Sequence, residues 1–340
     1  MRQPVRLMLS QKMLDQLSPQ ILQHAQGHAL ELVSLESAVS LQRRDIDLAF
    51  ISREVTGSST KHQVHPELQA CYDLMLDNTG LKWVHIHSAG ADRPIYQSLV
   101  QRGVQVSTSS GANARVVAAM ALAGLLALNK RFPMLWTQQQ HREWLPLLGE
   151  GRMPRDLPGQ TATVVGWGPI GQELAQLLSA LGLKVIAIRT KAAGHHNGIE
   201  MVRFADMQSV LPRTDWLILA CPLTQSTRGL VNAQVLQALS PGAQLINVAR
   251  GEVVVQDALI DALQRGQLQG AFLDVFDTEP LAVDSPLWAM PNVMITPHAA
   301  GHSDGNAQRV NQMFLDNLTR WLCAQPLNNL VNEIDVAGAH

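Results

Sequence analysis

The chain is poor in cysteine, in charged residues and in long apolar runs. It has only three cysteines among 340 residues, Cys71, Cys221 and Cys323, and their wide separation excludes a disulfide framework and a pair of thiolate metal ligands. Charged residues make up 16% of the sequence and the formal net charge is −2, so no basic surface for nucleic acid or an anionic membrane is indicated. The longest apolar run, residues 116–128, is shorter than the roughly 20 residues that cross a bilayer, and it predicts a buried helix.

Length and composition predict a soluble globular protein of two domains. With 46% hydrophobic residues, 340 residues are enough for two domains that each have a core. The segment Met1–Ser10 contains no continuous apolar stretch followed by a small-residue cleavage site, so it does not indicate a secretory signal. Together with the few cysteines, this leads us to expect a cytoplasmic protein.

A glycine motif follows a predicted strand in the middle of the chain. Residues 161–165 have the pattern of a buried strand, the motif is Gly166-Trp167-Gly168-Pro169-Ile170-Gly171, and residues 172–180 have the pattern of a helix. Such glycines permit a tight turn, a close approach of pyrophosphate to the backbone and close packing of the helix on the strand. The combination predicts a dinucleotide site, although Pro169 removes one N–H donor from the loop.

The end of the next predicted strand carries cations where a carboxylate would indicate NAD. Residues 184–188 predict this strand, and Arg189, Thr190 and Lys191 follow it, with Arg189 18 positions after Gly171. An acidic side chain about 20 residues after the motif would bind the ribose 2′-hydroxyl of NAD, whereas a guanidinium pairs with the 2′-phosphate of NADP. We therefore predict NADP(H) as the cofactor, with NAD(H) as a weaker one. A solvated loop is the other interpretation of this cluster.

Two series of strands predict an α/β protein with two doubly wound parallel sheets. The expected strands are residues 5–8, 48–51, 83–86 and 104–106 in the first series, and 164–165, 185–188, 216–220, 244–248, 270–274 and 293–296 in the second.

A final amphipathic helix, from about residue 307 to 323, follows the second series, and we expect it to return to the first domain. Residues 1–107 and 305–340 would then form a substrate-binding domain, and residues 108–304 a dinucleotide-binding domain. Two crossings between domains would place a cleft between them.

Three motifs follow the last strands of the second series, where open α/β sheets bind ligands. They are Asn247-Val248-Ala249-Arg250-Gly251, the segment from Leu273 to Pro280, and Thr296-Pro297-His298-Ala299-Ala300-Gly301. An arginine, a glutamate and a histidine at one rim suit hydride transfer to a 2-oxo acid. Arg250 would bind the carboxylate and polarise the carbonyl, and His298 would donate the proton to the developing alkoxide. Glu279 would orient the imidazole and favour its acid form.

In their order and approximate spacing, these motifs resemble those of the D-isomer-specific 2-hydroxyacid dehydrogenase family. The resemblance covers most of the chain and includes a further segment, Cys221-Pro222-Leu223-Thr224. It implies a Rossmann nucleotide-binding domain and a flavodoxin-like substrate domain, with Arg250, Glu279 and His298 as the catalytic residues. It also implies a homodimer formed through the nucleotide domain, with a contribution from the helix after Gly111.

The motifs and this resemblance together define the expected site residues. Those for the cofactor are Gly166, Gly168, Pro169, Ile170, Gly171, Arg189, Thr190, Lys191, Cys221, Pro222, Thr227, Val248, Ala249, Asp274 and Gly301. Those for the substrate are Ser88, Ala89, Gly90, Arg53, Trp144, Arg250 and His298, of which the first three supply backbone N–H groups for the carboxylate.

Several of these residues have an alternative interpretation. Asp274 would lie near the nicotinamide carboxamide or would cap the following turn. Arg53 would contact the substrate or face solvent. Trp144 or Trp136 would reach the partner's active site, as the resemblance implies, or would pack at an ordinary interface. The pair His195-His196 lies in a predicted variable loop, and we expect no metal site.

Within that family, the basic strand end favours the NADPH-using glyoxylate/hydroxypyruvate reductases. We expect reduction of these small 2-oxo acids to D-2-hydroxy acids, with no nucleic-acid or membrane partner. A dehydrogenase for a phosphorylated or bulkier substrate is one alternative, and a non-catalytic dinucleotide sensor is another, although a sensor has no need for a proton donor such as His298. The family usually carries a Glu-His pair where this chain has Ala119 and Met120, so the contacts of that pair are absent or replaced.

Overall fold

The computed structural model of the protein describes residues 3–59, 63–149, 152–190 and 193–331. These residues form two compact units. The first unit contains the described residues up to Ala112 and those from Ser303 onward, and the second contains the described residues from Asn113 to His302. The chain therefore leaves the first unit once and returns to it once.

Strands and helices alternate along most of the chain. The strands are β1 Val5–Leu9, β2 Leu30–Ser34, β3 Leu48–Ile51, β4 Trp83–Ile86, β5 Gln105–Thr108, β6 Thr161–Val165, β7 Lys184–Arg189, β8 Gly194–His196, β9 Ile199–Arg203, β10 Trp216–Leu219, β11 Gln244–Asn247, β12 Gly270–Leu273 and β13 Val293–Ile295. The α-helices are α1 Gln11–His24, α2 Leu35–Ser40, α3 Arg53–Thr56, α4 Pro66–Asp77, α5 Pro94–Gln101, α6 Ala114–Asn129, α7 Phe132–His141, α8 Pro169–Ala180, α9 Ala233–Ala238, α10 Gln256–Gln264 and α11 Asn306–Leu322. Short 3₁₀ helices span Phe204–Ser209, Leu211–Arg213, Gly251–Val253 and Pro286–Ala289.

The first unit is built on a five-stranded parallel sheet with the strand order β2-β1-β3-β4-β5. This order is the one found in flavodoxin-like domains. Apolar side chains of α4 and α5 form a core on one face of the sheet, and those of α1 and α11 form a core on the other. Helix α11 thus belongs to the unit that contains the amino-terminal strands.

Strand β2 is the one element of this sheet that the sequence pattern does not predict. Its residues are Leu-Glu-Leu-Val-Ser, and only Val33 among them is fully buried. Because β2 lies at the edge of the sheet, it requires few apolar side chains and its hydrophobic periodicity is weak. The other four strands begin and end within two residues of the expected positions.

The second unit is built on an eight-stranded sheet with the order β13-β12-β11-β10-β6-β7-β9-β8. Neighbouring strands are parallel, except that β8 runs antiparallel to β9. The six expected strands are present, but the sheet is larger than expected because β9 pairs with β7 and β8 extends the edge. The prediction of a loop at His195-His196 is wrong, since both residues lie in β8. Three exposed residues at a sheet edge are too few to give a periodic signal.

These two sheets confirm the expected α/β class with two parallel-sheet domains. Helix α6, the apolar helix expected at residues 116–128, packs on the second sheet so closely that a Cβ at Gly124 would collide with the ring of Phe272. Among the described residues, no single helix is long and apolar enough to cross a membrane; α6 and α7 meet the length and composition requirements only as a pair, which is bent by 64°.

Candidate functional site

The glycine motif forms the turn between β6 and α8. Gly166 has φ +109°, and a Cβ there would lie 2.7 Å from the carbonyl oxygen of Ala220. A Cβ at Gly171 would collide with the carbonyl oxygen of Gly166. Within the described ranges, the N–H groups of Gly168 and Ile170 have no hydrogen-bond acceptor. The loop therefore presents free N–H donors at a helix start, and its two close approaches leave no room for side chains, which suits a bound pyrophosphate.

Arg189 lies at the end of β7, directly beside Arg203 of β9 in the register of the sheet. Arg203 forms an ion pair with Asp206, with Nε 2.8 Å from Oδ2. Arg189 is half-buried and has no ion-pair partner among the described residues, and Thr190 beside it is exposed. Lys191, the third residue of the predicted 2′-phosphate site, lies outside the described residues. Arg189 is thus the cation of this pair whose charge is not compensated locally.

The loop after β10 contains Cys221, Pro222 and Thr227. Burial raises the pKa of the Cys221 thiol to about 12, so this side chain is an apolar packing group at neutral pH. The Thr227 hydroxyl donates to the carbonyl oxygen of Pro222 at 2.7 Å and accepts from the N–H of Thr224 at 2.7 Å. The Thr227 hydroxyl therefore stabilises the loop by joining Pro222 to Thr224.

The turn after β11 contains Val248, Ala249 and Arg250. The side chain of Asn247 holds this turn, because Oδ1 accepts from the N–H of Ala249 at 3.0 Å and Nδ2 donates to the carbonyl oxygen of Arg250 at 3.1 Å. The half-buried Arg250 donates from Nη1 to the carbonyl oxygen of Ala249 at 2.8 Å. A Cβ at the following Gly251 would collide with the backbone of Phe276, so glycine is required where the two turns meet.

Glu279 and His298 are joined by a hydrogen bond of 2.8 Å between Oε2 and Nδ1. The other carboxylate oxygen of Glu279 accepts from the N–H of Phe276 at 3.1 Å. Burial alone would raise the pKa of Glu279. The hydrogen bond and charge of His298 outweigh burial, with additional contributions from Phe276 and Arg250, so the pKa lies below its ordinary value. An ionised carboxylate can only accept, so Nδ1 carries the proton, and Nε2 has no protein partner within the described residues.

Asp274 organises the loop that carries His298. It is 2% exposed, and its carboxylate accepts from the Thr296 hydroxyl at 2.6 Å and from the N–H groups of Ala299 and Ala300 at 2.8 and 3.0 Å. Its carbonyl oxygen accepts from the N–H of His298, at 2.8 Å, and His298 has φ +51°. The sequence indicated this aspartate only as a cofactor contact or a turn cap. The hydrogen-bond set shows that it holds the histidine in a conformation that side chains rarely adopt.

The predicted substrate loop, Ser88-Ala89-Gly90, lies in the first unit. The Ser88 hydroxyl donates to the carbonyl oxygen of Gly90 at 2.8 Å, and the Ser88 carbonyl oxygen accepts from the N–H of Ser109 at 3.0 Å. In the part of the chain that the structure describes, the N–H groups of residues 88–90 have no acceptor. Arg53, at the start of α3, lies near His87 in the same unit. Burial, and then the charge of Arg53, lower the pKa of His87 to about 4.

The remaining predicted residues have simpler surroundings. Trp144 is 94% exposed and Trp136 is 63% exposed, so neither is packed within a single chain. Gly301 packs against the side-chain amide of Asn113 without room for a Cβ. No group of three or more histidine, cysteine, aspartate or glutamate side chains that could hold a metal ion occurs among the described residues.

A doubly wound sheet with a glycine turn at the start of a helix, and with polar residues at the ends of its strands, is typical of Rossmann-fold dinucleotide-binding domains. Residues 122–300 match the family model of the D-isomer specific 2-hydroxyacid dehydrogenase NAD binding domain. The chain belongs to the D-isomer-specific 2-hydroxyacid dehydrogenase family, as the sequence motifs predicted.

Relatives and solved structures agree with this assignment. The chain is similar to a glyoxylate/hydroxypyruvate reductase B from Pectobacterium atrosepticum, with 33% identity over 248 residues that cover 72% of this chain and 77% of that protein. It is also similar to a glyoxylate reductase from Korarchaeum cryptofilum, with 31% identity over 262 residues, 74% of this chain and 76% of that protein. Its fold matches an NADPH-dependent glyoxylate/hydroxypyruvate reductase from Sinorhizobium meliloti in complex with NADP and sulfate, with TM-score 0.74, 27% identity and coverage of 98% of this chain and 99% of that one. A D-isomer specific 2-hydroxyacid dehydrogenase from Xanthobacter autotrophicus, in complex with NADPH and MES, matches with TM-score 0.76, 26% identity and the same coverage.

Proposed function

We propose that this 2-hydroxyacid dehydrogenase reduces small 2-oxo acids, with glyoxylate and hydroxypyruvate as the leading substrates, to D-2-hydroxy acids with NADPH. The observation that carries the proposal is the Glu279–His298 hydrogen bond, which leaves Nε2 of the imidazole without a protein partner in the described part of the chain. A histidine oriented by a carboxylate is suited to acid–base chemistry. The names of the relatives from Pectobacterium and Korarchaeum support the choice of substrate.

Each residue has a definite task in this reaction. A reduced nicotinamide, when bound, would supply the hydride that the carbonyl carbon of the substrate accepts. The protonated imidazole of His298 gives the Nε2 proton to the carbonyl oxygen, and the imidazole returns to the neutral form with its proton on Nδ1. The ionised Glu279 keeps the ring oriented and stabilises the imidazolium before transfer. Arg250 binds the substrate carboxylate and stabilises the negative charge that develops on the carbonyl oxygen.

The substrate carboxylate would also be held by the first unit, through the free N–H groups of residues 88–90. We assign the described residues 3–107 and 305–331 to the substrate-binding domain and those of 108–304 to the dinucleotide-binding domain. Arg53 would provide a second anion contact beside His87. For a substrate with a distal phosphate this cation would be more important, which is why a phosphorylated 2-oxo acid belongs in the activity test.

NADPH is the proposed cofactor because of the charge at the end of β7. The guanidinium of Arg189 has no ion-pair partner among the described residues, and Thr190 adds a hydroxyl. A planar guanidinium binds a phosphate with two parallel hydrogen bonds. Two structures similar to this chain contain NADPH or NADP. The free N–H groups of the glycine turn would bind the pyrophosphate of either dinucleotide.

We also propose a homodimer formed through the dinucleotide-binding domain. Trp136 and Trp144 are 63% and 94% exposed, and Leu148, which follows them in the sequence, is 70% exposed. Large apolar side chains exposed together are typical of a surface that a partner covers. Trp144 would then lie against the partner's site.

Initial rates of NADPH and NADH oxidation, measured side by side, test this function. The substrates are glyoxylate, hydroxypyruvate, pyruvate, a bulkier 2-oxo acid and a phosphorylated 2-oxo acid. We expect turnover of the small acids with a clear preference for NADPH. Faster turnover of the bulky or phosphorylated acid would replace the substrate assignment, and cofactor binding without turnover of any of the five would identify a sensor.

A further inference from the structure

A chain of four hydrogen-bonded side chains is buried beneath β4 and β5 in the first unit. Trp83 donates from Nε1 to the Ser107 hydroxyl at 2.8 Å, and Ser107 lies 2.8 Å from Nδ1 of His85. The other nitrogen of this imidazole, Nε2, lies 3.1 Å from the Ser109 hydroxyl, which donates to the carbonyl oxygen of Ile86 at 3.0 Å. None of the four side chains belongs to the motifs that indicated the reaction.

The direction of every hydrogen bond in this chain is determined by its two ends. The indole of Trp83 can only donate, so the Ser107 hydroxyl accepts from it and has its own proton available for Nδ1 of His85. At the other end, the Ile86 carbonyl oxygen can only accept, so the Ser109 hydroxyl proton points there. Nε2 of His85 must therefore carry the ring proton and donate it to Ser109. One neutral tautomer satisfies all groups.

The surroundings keep His85 in this neutral form. The imidazole is completely buried, with its ring centroid 5.7 Å from that of Phe50, 6.1 Å from that of Trp83 and 5.9 Å from that of Phe314. Burial, with a smaller contribution from His87, lowers the pKa of His85 to about 3. A proton on Nδ1 would also make the Ser107 hydroxyl accept two hydrogen bonds and would deprive its own proton of the imidazole acceptor. These hydrogen bonds therefore keep the same directions around neutral pH.

This series of hydrogen bonds ends at the predicted carboxylate-binding loop. Ser109, whose hydroxyl accepts the hydrogen bond from Nε2 of His85, also donates its backbone N–H to the carbonyl oxygen of Ser88 at 3.0 Å. The Ser88 hydroxyl donates a hydrogen bond to the carbonyl oxygen of Gly90. Two carbonyl oxygens of the loop are thus bound by protein donors, whereas the N–H groups of residues 88–90 have no acceptor among the described residues and are available to an anion.

We propose that His85 and Ser109 are positioning residues for the substrate carboxylate. Through the Ser109 hydroxyl, the imidazole fixes the backbone that holds the Ser88 carbonyl oxygen, and so it fixes the direction of the N–H groups of the loop. Misplacement of such donors weakens binding without changing the reacting groups. This inference rests on the proposed function, because it deepens the role assigned to Ser88-Ala89-Gly90.

Ser109→Ala tests the link closest to the loop. The substitution removes the hydroxyl that joins His85 to the Ile86 carbonyl oxygen, but it leaves the backbone N–H of Ser109 in place. We expect KM for the 2-oxo acid to rise about tenfold, while kcat and Kd for NADPH change by less than about twofold. Ser98→Ala is the matched control, because its hydroxyl donates to the carbonyl oxygen of Pro94 within α5 of the same unit. It should leave KM unchanged.

A pair of substitutions at His85 separates positioning from packing. His85→Asn places an amide near Nδ1 and loses the donor to Ser109, whereas the longer side chain in His85→Gln can place its amide nitrogen near Nε2 and restore that donor. We expect His85→Asn to raise KM and His85→Gln to recover part of the loss. Core packing alone would lower the melting temperature in both variants and would not move KM.

Hydrogen exchange at the backbone amide of residue 109, which donates to the Ser88 carbonyl oxygen, tests positioning without any turnover. In Ser109→Ala the protection factor of this amide should fall at least about fivefold below that of the native protein, with Ser98→Ala equal to the native protein. Unchanged exchange and unchanged KM in Ser109→Ala would overturn the inference. If the native protein turns over none of the five acids, the proposed function fails, and the exchange rates still decide whether His85 and Ser109 order the loop.

Discussion

Oε2 of Glu279 lies 2.8 Å from Nδ1 of His298, although the residues are 19 positions apart in the chain. Replacing His298 with alanine removes the proposed proton donor, so kcat should fall by about 10²–10⁴-fold. The dissociation constant of NADPH, measured by fluorescence titration, should change by less than about twofold. His302→Ala is the control, since this exposed histidine lies on the same loop. Similar turnover in the two variants would exclude His298 as the acid.

Glu279→Gln keeps an oxygen near the imidazole but removes the charge. The imidazole of His298 then loses the anionic partner that orients it, so kcat for reduction should fall. The measurement is kcat for glyoxylate reduction between pH 5 and pH 9. A profile identical to that of the native protein would show that the charge of Glu279 is not used.

Asp274→Asn should weaken the hydrogen bonds that hold the His298 loop to the end of β12. The aspartate accepts from the N–H groups of Ala299 and Ala300, and an amide at this position leaves at least one buried donor without an acceptor. We expect a loss of about 1–3 kcal/mol in the free energy of unfolding and a larger effect on kcat than on KM. Denaturant titration measures the free energy of unfolding, and steady-state rates measure kcat and KM. Asp277→Asn is the control, because among the described residues this exposed carboxylate accepts only from the adjacent Thr278.

Arg189→Ala should reduce the preference for NADPH. A hydrogen bond to a charged group contributes about 1.5–3 kcal/mol, so kcat/KM for NADPH should fall by roughly 10–100-fold, while kcat/KM for NADH should change little. Arg203→Ala is the matched control, since Arg203 lies directly beside Arg189 but is paired with Asp206. An equal loss with both cofactors would mean that Arg189 does not discriminate between them.

Stability should decrease as the pH falls from about 6.5 towards 4. The pKa of His85 is lowered to about 3 and that of His87 to about 4, chiefly by burial. In the unfolded chain both residues titrate near the ordinary value of about 6.5, so in this window the unfolded state binds more protons and the folded state loses stability. His85→Gln should lower the number of protons taken up on unfolding at about pH 5 by about one. This number is obtained from denaturant titrations at closely spaced pH values, and equal numbers for the native protein and the variant would contradict the lowered pKa.

The sequence was most informative where the structure depends on neighbours in the chain. The glycine turn, the helix that follows it and the basic end of β7 are encoded within short segments, and the positions of β6 and α8 follow from apolar patterns and glycine chemistry. The edge strands β2 and β8, and β9 beside β8, were not expected, because strands of three to five residues give little periodic signal and their pairing is decided by the sheet they join. The two histidines of β8, predicted to lie in a loop, show the same limit.

The sequence by itself determined the fold class, the dinucleotide turn and the family, because these depend on residue types at fixed local spacings. The sequence also predicted that Glu279 orients the His298 imidazole. Only the tertiary structure decided the other hydrogen bonds around the site: Asp274 with the loop around His298, and His85 with Ser109. Each of these pairs joins separate elements, and a hydrogen bond requires atoms within about 3 Å in a suitable direction, which no pattern along the chain specifies. The residue types of the site were evident from the sequence, whereas the positions and directions of their hydrogen bonds come from the packing of strands and loops.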